Sequence, residues 1–246
     1  MRISRKSPEE IQIMREGGKI SALALQKVLA ALRPGVTTLD LDKLAEKTIL
    51  ENGATPSFKT VEEYKFTTCI NINEGIVHGL PGGYKIKRGD VVSIDLGALY
   101  KGLHTDLSYT VEVESTKEKA FLEAGKRALE AGTFACLAGN RLGDVGYAIQ
   151  KVIEGSGYTV SEELVGHGIG KELHESPYVP GYGYRGSGIK IEVGMVFAIE
   201  VIYQKGKPEL ALDKDMWTIK TADNSLSALF EHTVAVTLGG PQTLTI

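Results

Sequence analysis

Gly89-Asp90-Val91-Val92-Ser93-Ile94-Asp95 and Gly194-Met195-Val196-Phe197-Ala198-Ile199-Glu200 read as one unit written twice. In each, a glycine opens an apolar run, and an acidic residue sits six positions after that glycine. Short apolar runs bounded by glycine are strand signals. An acid inside such a run is expensive unless it is paired or coordinated. Upstream, Pro34-Gly35-Val36-Thr37 before one helical pattern echoes Ala138-Gly139-Asn140-Arg141 before another, at about the same offset. Helix, glycine break, helix, glycine-rich loop and acid-bearing strands therefore occur twice. The expected architecture is two α/β halves, about residues 1–113 and 114–246, related by a pseudo-twofold and packed as one domain spanning residues 1–246.

Outward from these strands, Ser7-Pro8-Glu9-Glu10 is a helix start: Ser7 can cap, Pro8 fits the first helical position and Glu10 completes a capping box. Arg33-Pro34-Gly35 stops that helix. Further helices are expected over about residues 38–52, 117–137 and 144–154. Strands are expected over about residues 91–99 and 104–113, with a tight turn at Tyr100-Lys101-Gly102, and again over about 195–203, 217–221 and 229–237. The chain carries 28 Lys+Arg against 31 Asp+Glu, a balance that lacks the electrostatic footprint of a general nucleic-acid binder. Cys69 and Cys136 are too few for a disulfide framework and fit a reducing compartment. No apolar run approaches the roughly 20 residues of a membrane helix, and Met1-Arg2-Ile3-Ser4-Arg5 leads into no apolar targeting segment. A cytoplasmic protein is the expectation.

Asp95 and Asp106 flank the tight turn. A hairpin turning at Tyr100-Lys101 places them directly opposite each other on one face, where like charges are destabilising. Either one is protonated or a cation lies between them, and Ser93, Gly97 and Ser108 leave room on that face. The alternative is a pair of solvated aspartates on an exposed face. By the repeat, Glu200 and Glu231 mirror the two aspartates, so four carboxylates converge where the halves meet. The histidines are His78, His104, His167, His174 and His232; none falls in an expected helix, and all group with the acids or with the glycine-rich loops. Acid-rich ligation with imidazole favours hard divalent ions over a thiolate zinc site. Four carboxylates suggest two ions about 3.5–4 Å apart that polarise a substrate and activate water. Other chemistries lack their motifs: there is no Gly-x-Ser-x-Gly elbow, no Walker A loop, and no Gly-x-Gly-x-x-Gly after a strand.

The stretches Asn71-Ile72-Asn73-Glu74, His78-Gly79-Leu80-Pro81, Gly166-His167-Gly168-Ile169-Gly170, His174-Glu175-Ser176-Pro177 and Ser225-Leu226-Ser227-Ala228 resemble those of type I methionine aminopeptidases over nearly the whole chain. The segment ahead of Ser7 is too short for the zinc-binding extension of some relatives, and no insertion matches that of type II enzymes. The resemblance implies an α+β pita-bread fold, with two pseudo-twofold-related α/β halves around a central antiparallel sheet. It puts metal ligands at Asp95, Asp106, His167, Glu200 and Glu231, holding two divalent ions (cobalt, manganese, iron or zinc). Catalytic roles fall on His78, His174 and Glu200, and substrate contacts on His78, His174, Tyr64, Cys69, Leu173 and Trp217. The implied activity is removal of the initiator methionine from nascent polypeptides ahead of a small second residue, by water attack on the first peptide bond. An Xaa-Pro aminopeptidase and a non-enzymatic binding protein of the same fold are the alternatives. The substrate class also implies the ribosome as a partner, although no strong basic patch stands out; a monomer is expected. Against the family pattern, Val77 replaces a cysteine, Leu173 an aromatic, Val201 a proline and Leu229 a glutamine. The loop over residues 58–66 lacks the usual Gly-Tyr pair while keeping Tyr64. These departures imply an altered side-chain pocket.

Overall fold

Four α-helices form among the described residues, three of them starting where an acid in the first turn accepts the backbone N–H of the cap residue. The structure, a computed structural model, describes residues 3–246, so Met1 and Arg2 lie outside the described residues. Helix α1 (Pro8–Ala31) starts in a capping box: Glu10 N–H donates to Ser7 Oγ at 3.2 Å and Ser7 N–H to Glu10 Oε2 at 2.8 Å. Helix α2 (Thr38–Glu51) repeats the device with Thr37 and Asp40. Helix α3 (Lys119–Ala135) is shorter than expected at both ends: no side chain caps its start, and the turn through Gly139 (φ +99°) follows its end. Helix α4 (Leu142–Gly155) begins earlier than expected, because Asp144 accepts from Arg141 N–H at 2.8 Å from inside the first turn rather than capping it. Gly35 and Gly139 both adopt positive φ, and isolated bridges Thr37↔Lys85 and Arg141↔Lys190 follow them in matching places.

The first half holds strands β1 (Thr55–Pro56), β2 (Thr68–Ile72), β3 (Gly75–Val77), β4 (Val91–Tyr100) and β5 (Leu103–Glu112). The second holds β6 (Thr159–Val160), β7 (Gly166–Gly168), β8 (Glu175–Val179), β9 (Val196–Gln204), β10 (Leu210–Leu212), β11 (Ile219–Thr221), β12 (Ser227–Thr237) and β13 (Gly240–Thr243). Ten of them make one antiparallel sheet in the order β1-β4-β5-β12-β9-β7-β8, with β2 on β4, β6 on β9 and β13 on β12. The halves join at β5 and β12. Helices α1 and α2 pack on Val92, Ile94 and Leu96, while α3 and α4 pack on Phe197, Ile199, Val201 and Phe230. Each such side chain contributes about 1.5–3 kcal/mol when fully buried. Strand side chains alternate between faces. The helices therefore cover the face opposite the strand acids.

One register differs from expectation. The β4–β5 hairpin turns on two residues, Lys101 (φ +49°) and Gly102 (φ +81°), the positive-φ pair of a type I′ turn. Asp95 therefore lies opposite Ser108, and Asp106 opposite Gly97. The two aspartates share a face but sit on a diagonal, not directly across from each other. Nor is Gly97 room for an ion: a Cβ there would lie 2.3 Å from the Thr105 carbonyl oxygen and 2.9 Å from Ser57 Cβ, so the missing side chain is what lets the Ser57 loop close on the sheet.

Candidate active site

Strand register builds the site as a row. Cys69 pairs with Asp95, Asp95 with Ser108, Ser108 with Glu231, and Glu231 with Glu200, across β2, β4, β5, β12 and β9. Directly opposed strand residues point to the same face. Asp106, two residues before Ser108, joins that face, and so does His167, which pairs with Ala198 two residues before Glu200. The directly opposed like charges are thus Glu200 and Glu231. Donor atoms of Asp106, His167 and Glu231 all lie within 4.8 Å of one another.

This cluster lacks internal compensation. Asp95 Oδ1, Asp106 Oδ1 and Glu231 Oε1 are buried with no hydrogen-bond partner among the described residues. His167 Nδ1 lies 2.9 Å from the Gly168 carbonyl, which can only accept, so Nδ1 carries the proton. The lone pair of Nε2 then faces Glu200 Oε1 at 3.6 Å. A lone pair aimed at a carboxylate needs a cation or a proton between them. Burial, then His174, holds the His167 imidazolium down to about 4, so the ring is a neutral donor at pH 7. Burial pushes the Asp106 carboxyl up to about 7. Burial and then neighbouring acids raise Asp95, Glu200 and Glu231 as well. Bare charge is poorly tolerated here, and the donor set of carboxylates and one imidazole fits divalent cations.

Above the carboxylates lies a cavity of about 190 Å³. Phe58, Tyr64, Cys69, Leu173 and Trp217 wall it, and His78 and His174 also line it. Tyr64 is fixed at its centre: its hydroxyl donates to the Thr68 carbonyl at 2.8 Å, and its ring centroid lies 5.3 Å from that of Trp217. The cavity shares Val77, His78, His167, His174 and Glu200 with an outer pocket of about 420 Å³, which adds Leu164, Tyr178 and Ile202. His78 enters from a left-handed backbone (φ +60°), uncommon for a residue with a Cβ. The following Gly79 clamps it against β2, donating to Asn71 Oδ1 at 2.8 Å and accepting from Ile70 N–H at 2.9 Å. The His174 ring packs on His167 with centroids 4.5 Å apart.

Every residue expected at the site lines this cavity, but two histidines grouped with the acids do not. His104 turns to Ser57 Oγ at 3.0 Å. His232 alternates with Glu231 to the opposite face and meets Thr245 Oγ1 at 2.9 Å. The residues that stitch the halves gave no sequence signal. Thr233 Oγ1 accepts from Asp106 N–H and donates to the Asp106 carbonyl, both at 2.8 Å. Thr110 brackets Leu229 in the same way, at 3.0 and 2.7 Å. These hydroxyls replace ladder bonds where β5 and β12 pair at only Glu231↔Ser108 and His232↔Leu107. A larger surface groove of about 910 Å³, lined by Ser4, Arg5, Ile189 and Glu192, lies apart from the carboxylates.

Comparison with known proteins places this geometry. Residues 12–238 match the model of metallopeptidase family M24. The chain belongs to that family. A methionine aminopeptidase from Clostridium perfringens is 40% identical over 243 residues, 98% of each chain. Methionine aminopeptidase 1 of Bacillus subtilis is 40% identical over 242 residues, again 98% of each. The crystal structure of a methionine aminopeptidase from Thermotoga maritima superposes with a TM-score of 0.97 at 40% identity, covering 99% of both chains. A prolidase from Pyrococcus furiosus gives 0.78 at 26% identity, and the chain covers 65% of it. The fold is the pita-bread fold. Membership of the M24 metallopeptidases means divalent metal, and the orphaned carboxylate oxygens beside the His167 lone pair fit it.

Proposed function

We propose that this chain is a methionine aminopeptidase of type I, a metallohydrolase that removes the N-terminal methionine of new polypeptides ahead of a small second residue. The observation that carries the reading is a buried row of uncompensated acids beside His167 Nε2, opening into one cavity walled largely by aromatic side chains. Full-length relatives carry the same name.

In this reading Asp106 and Glu231, from opposite halves, would hold divalent metal together with Asp95, His167 and Glu200. Cobalt, manganese, iron and zinc all suit such donors. The ions supply Lewis acidity and lower the pKa of water. The chain does the rest. Phe58, Tyr64, Cys69, Leu173 and Trp217 hold the terminal side chain; sulfur–aromatic contacts contribute about 0.3–1.5 kcal/mol for a thioether. Glu200 takes the proton of the attacking water at a carboxylate oxygen. His78 contacts the substrate amide, and the His174 N–H donates to the oxyanion that develops on the scissile carbonyl. Burial keeps both rings neutral at pH 7. An N–H donor of this kind is worth about 10²–10³ in kcat.

Nascent chains as substrate support a cytoplasmic monomer working near the ribosome, and no helix among the described residues is long and apolar enough to cross a membrane. Cleavage of Met-Ala-Ser against Ala-Pro-Ala, with metal content measured on the same sample, tests the reading. Turnover of Met-Ala-Ser that is lost on chelation and restored by a divalent ion is the expected result. A preference for Ala-Pro-Ala overturns it in favour of a prolidase-like enzyme.

A further inference from the structure

Lys6 is a lysine with almost no access to solvent: its side chain is 3% exposed. Its Nζ lies 2.6 Å from Glu175 Oε2, whose side chain is itself only 13% exposed. Glu175 directly follows His174. Its other oxygen, Oε1, accepts from Lys171 N–H at 2.7 Å and Glu172 N–H at 3.3 Å, so one carboxylate gathers the loop over residues 170–175 into a turn. The lysine is fixed from its own side too, since Lys6 N–H donates to the Gly194 carbonyl at 2.6 Å, in the turn that leads into β9 and Glu200. Gly170 completes the fit. A Cβ there would lie 2.2 Å from Lys6 Cε and 2.8 Å from Glu175 Oε1, so the lysine stem passes where a side chain at residue 170 would stand. On its far side the loop is held by His104 N–H, which donates to the Gly170 carbonyl at 2.7 Å.

We propose that Lys6 is a positioning residue for catalysis: through its buried ion pair with Glu175 it fixes the loop that carries Leu173 and His174 over the carboxylates. Lys6 lines neither the inner cavity nor the outer pocket, so it acts only through that loop. A buried charge left without its partner is strongly unfavourable. Removing the lysine therefore drives Glu175 toward solvent and releases the turn. The proposal rests on the assignment of the oxyanion donor to His174, and a misplacement of about 1 Å at such a group can cost about 10²-fold in rate.

The test is a double-mutant cycle on the metal-loaded enzyme with Met-Ala-Ser. Wild type, Lys6→Met, His174→Ala and the double variant are compared in kcat, KM and metal content. Lys6→Met is expected to lower kcat by about 10- to 100-fold, with metal content unchanged and KM shifted less than about 3-fold. In the His174→Ala background the same substitution should cost less than about 2-fold, because the group it positions is gone. Equal fold losses in both backgrounds, or a Lys6→Met enzyme with wild-type kcat, overturn the proposal. A fully active His174→Ala enzyme instead overturns the assignment of His174, and is read from a different protein. If Lys6→Met does not fold, Glu175→Gln takes its place in the cycle. It keeps the acceptor for the loop amides, removes only the charge partner, and must give the same pattern.

Discussion

At the scale of single residues, Asp106 carries the heaviest demand. It alone among the acids has its main chain pinned on both sides by one hydroxyl, that of Thr233, and it belongs to the tight three-donor group. Asp106→Asn keeps the shape and removes the charge. The variant should lose metal and activity together, by more than the roughly 10–100-fold that changes one layer further from a metal cost. Elemental analysis beside kcat/KM checks it; a variant with full metal content and normal turnover would refute the assignment. Leu173 sets a finer property. It lines the inner cavity, in the same buried cluster as Tyr64, with the partly buried Trp217 packed against that cluster. A leucine leaves the wall thinner, so leucine and norleucine should be accepted more readily. Leu173→Phe should raise the ratio of kcat/KM for Met-Ala-Ser over Leu-Ala-Ser by about 10-fold, the lower end of what a methylene-sized difference in an apolar pocket delivers. No change in that ratio would remove Leu173 from the determinants of specificity. The acids of this row were legible in sequence because an acid in an apolar run has few cheap explanations. Lys6 was not, because a lysine in a polar N-terminal stretch reads as solvated.

At the scale of elements, two glycines of one hairpin separate turn chemistry from close packing. Gly102 occupies a left-handed position (φ +81°), and a methyl group added there would meet nothing within 4 Å, whereas Gly97 is hemmed in by the Thr105 carbonyl and Ser57. Gly102→Ala therefore costs only backbone strain, about 1 kcal/mol, which in a protein of this size lowers Tm by roughly 2–4 °C. Gly97→Ala must push β5 or the Ser57 loop aside at a cost of about 1–3 kcal/mol. The strand it moves is the one bearing Asp106. Thermal melts and metal titrations of the two variants should diverge: both lose stability, and only Gly97→Ala loses metal affinity. Equal metal affinity in both would mean that the hairpin spacing does not govern the site. This hairpin also marks where sequence reading ran short. Val91, Val92, Ile94 and Leu96 announced the strand. The register depended on whether the chain turned at Tyr100-Lys101 or at Lys101-Gly102, a one-residue question that hydrophobic alternation does not answer, since both turns keep Asp95 and Asp106 on one face. The Ser7 capping box was legible because it acts locally, whereas the caps at Thr37 and Arg141 were not singled out and the end of α3 is set by packing.

At the scale of the whole molecule, the site is a store of charge that the fold tolerates only when it is neutralised. Asp95, Asp106, Glu200 and Glu231 all have carboxyl pKa values raised by burial, Asp106 to about 7. In the unfolded chain such groups titrate near 4. Between those limits the native state of the metal-free protein holds protons that the unfolded state has released. Its stability must therefore fall as pH rises, by about 1.4 kcal/mol per pH unit for each proton held. The histidines oppose this at low pH. His167 and His232 are held down to about 4, so the unfolded state binds their protons first, and stability rises with pH until their unfolded value near 6.5 is passed. Above 6.5 the imidazoles are neutral in both states and only the acids speak. A chelated sample should then lose Tm as the pH rises above 6.5 and passes through the Asp106 value of about 7. A divalent ion, binding the native carboxylates in place of protons, should both raise Tm and flatten that slope. Melts at pH 6.5, 7.2 and 8.0, with chelator and with manganese, separate the cases. A chelated protein whose Tm is constant or rises over that interval would mean that the four carboxylates are already compensated within the fold, and the reading of the row as a cation site would fall with it.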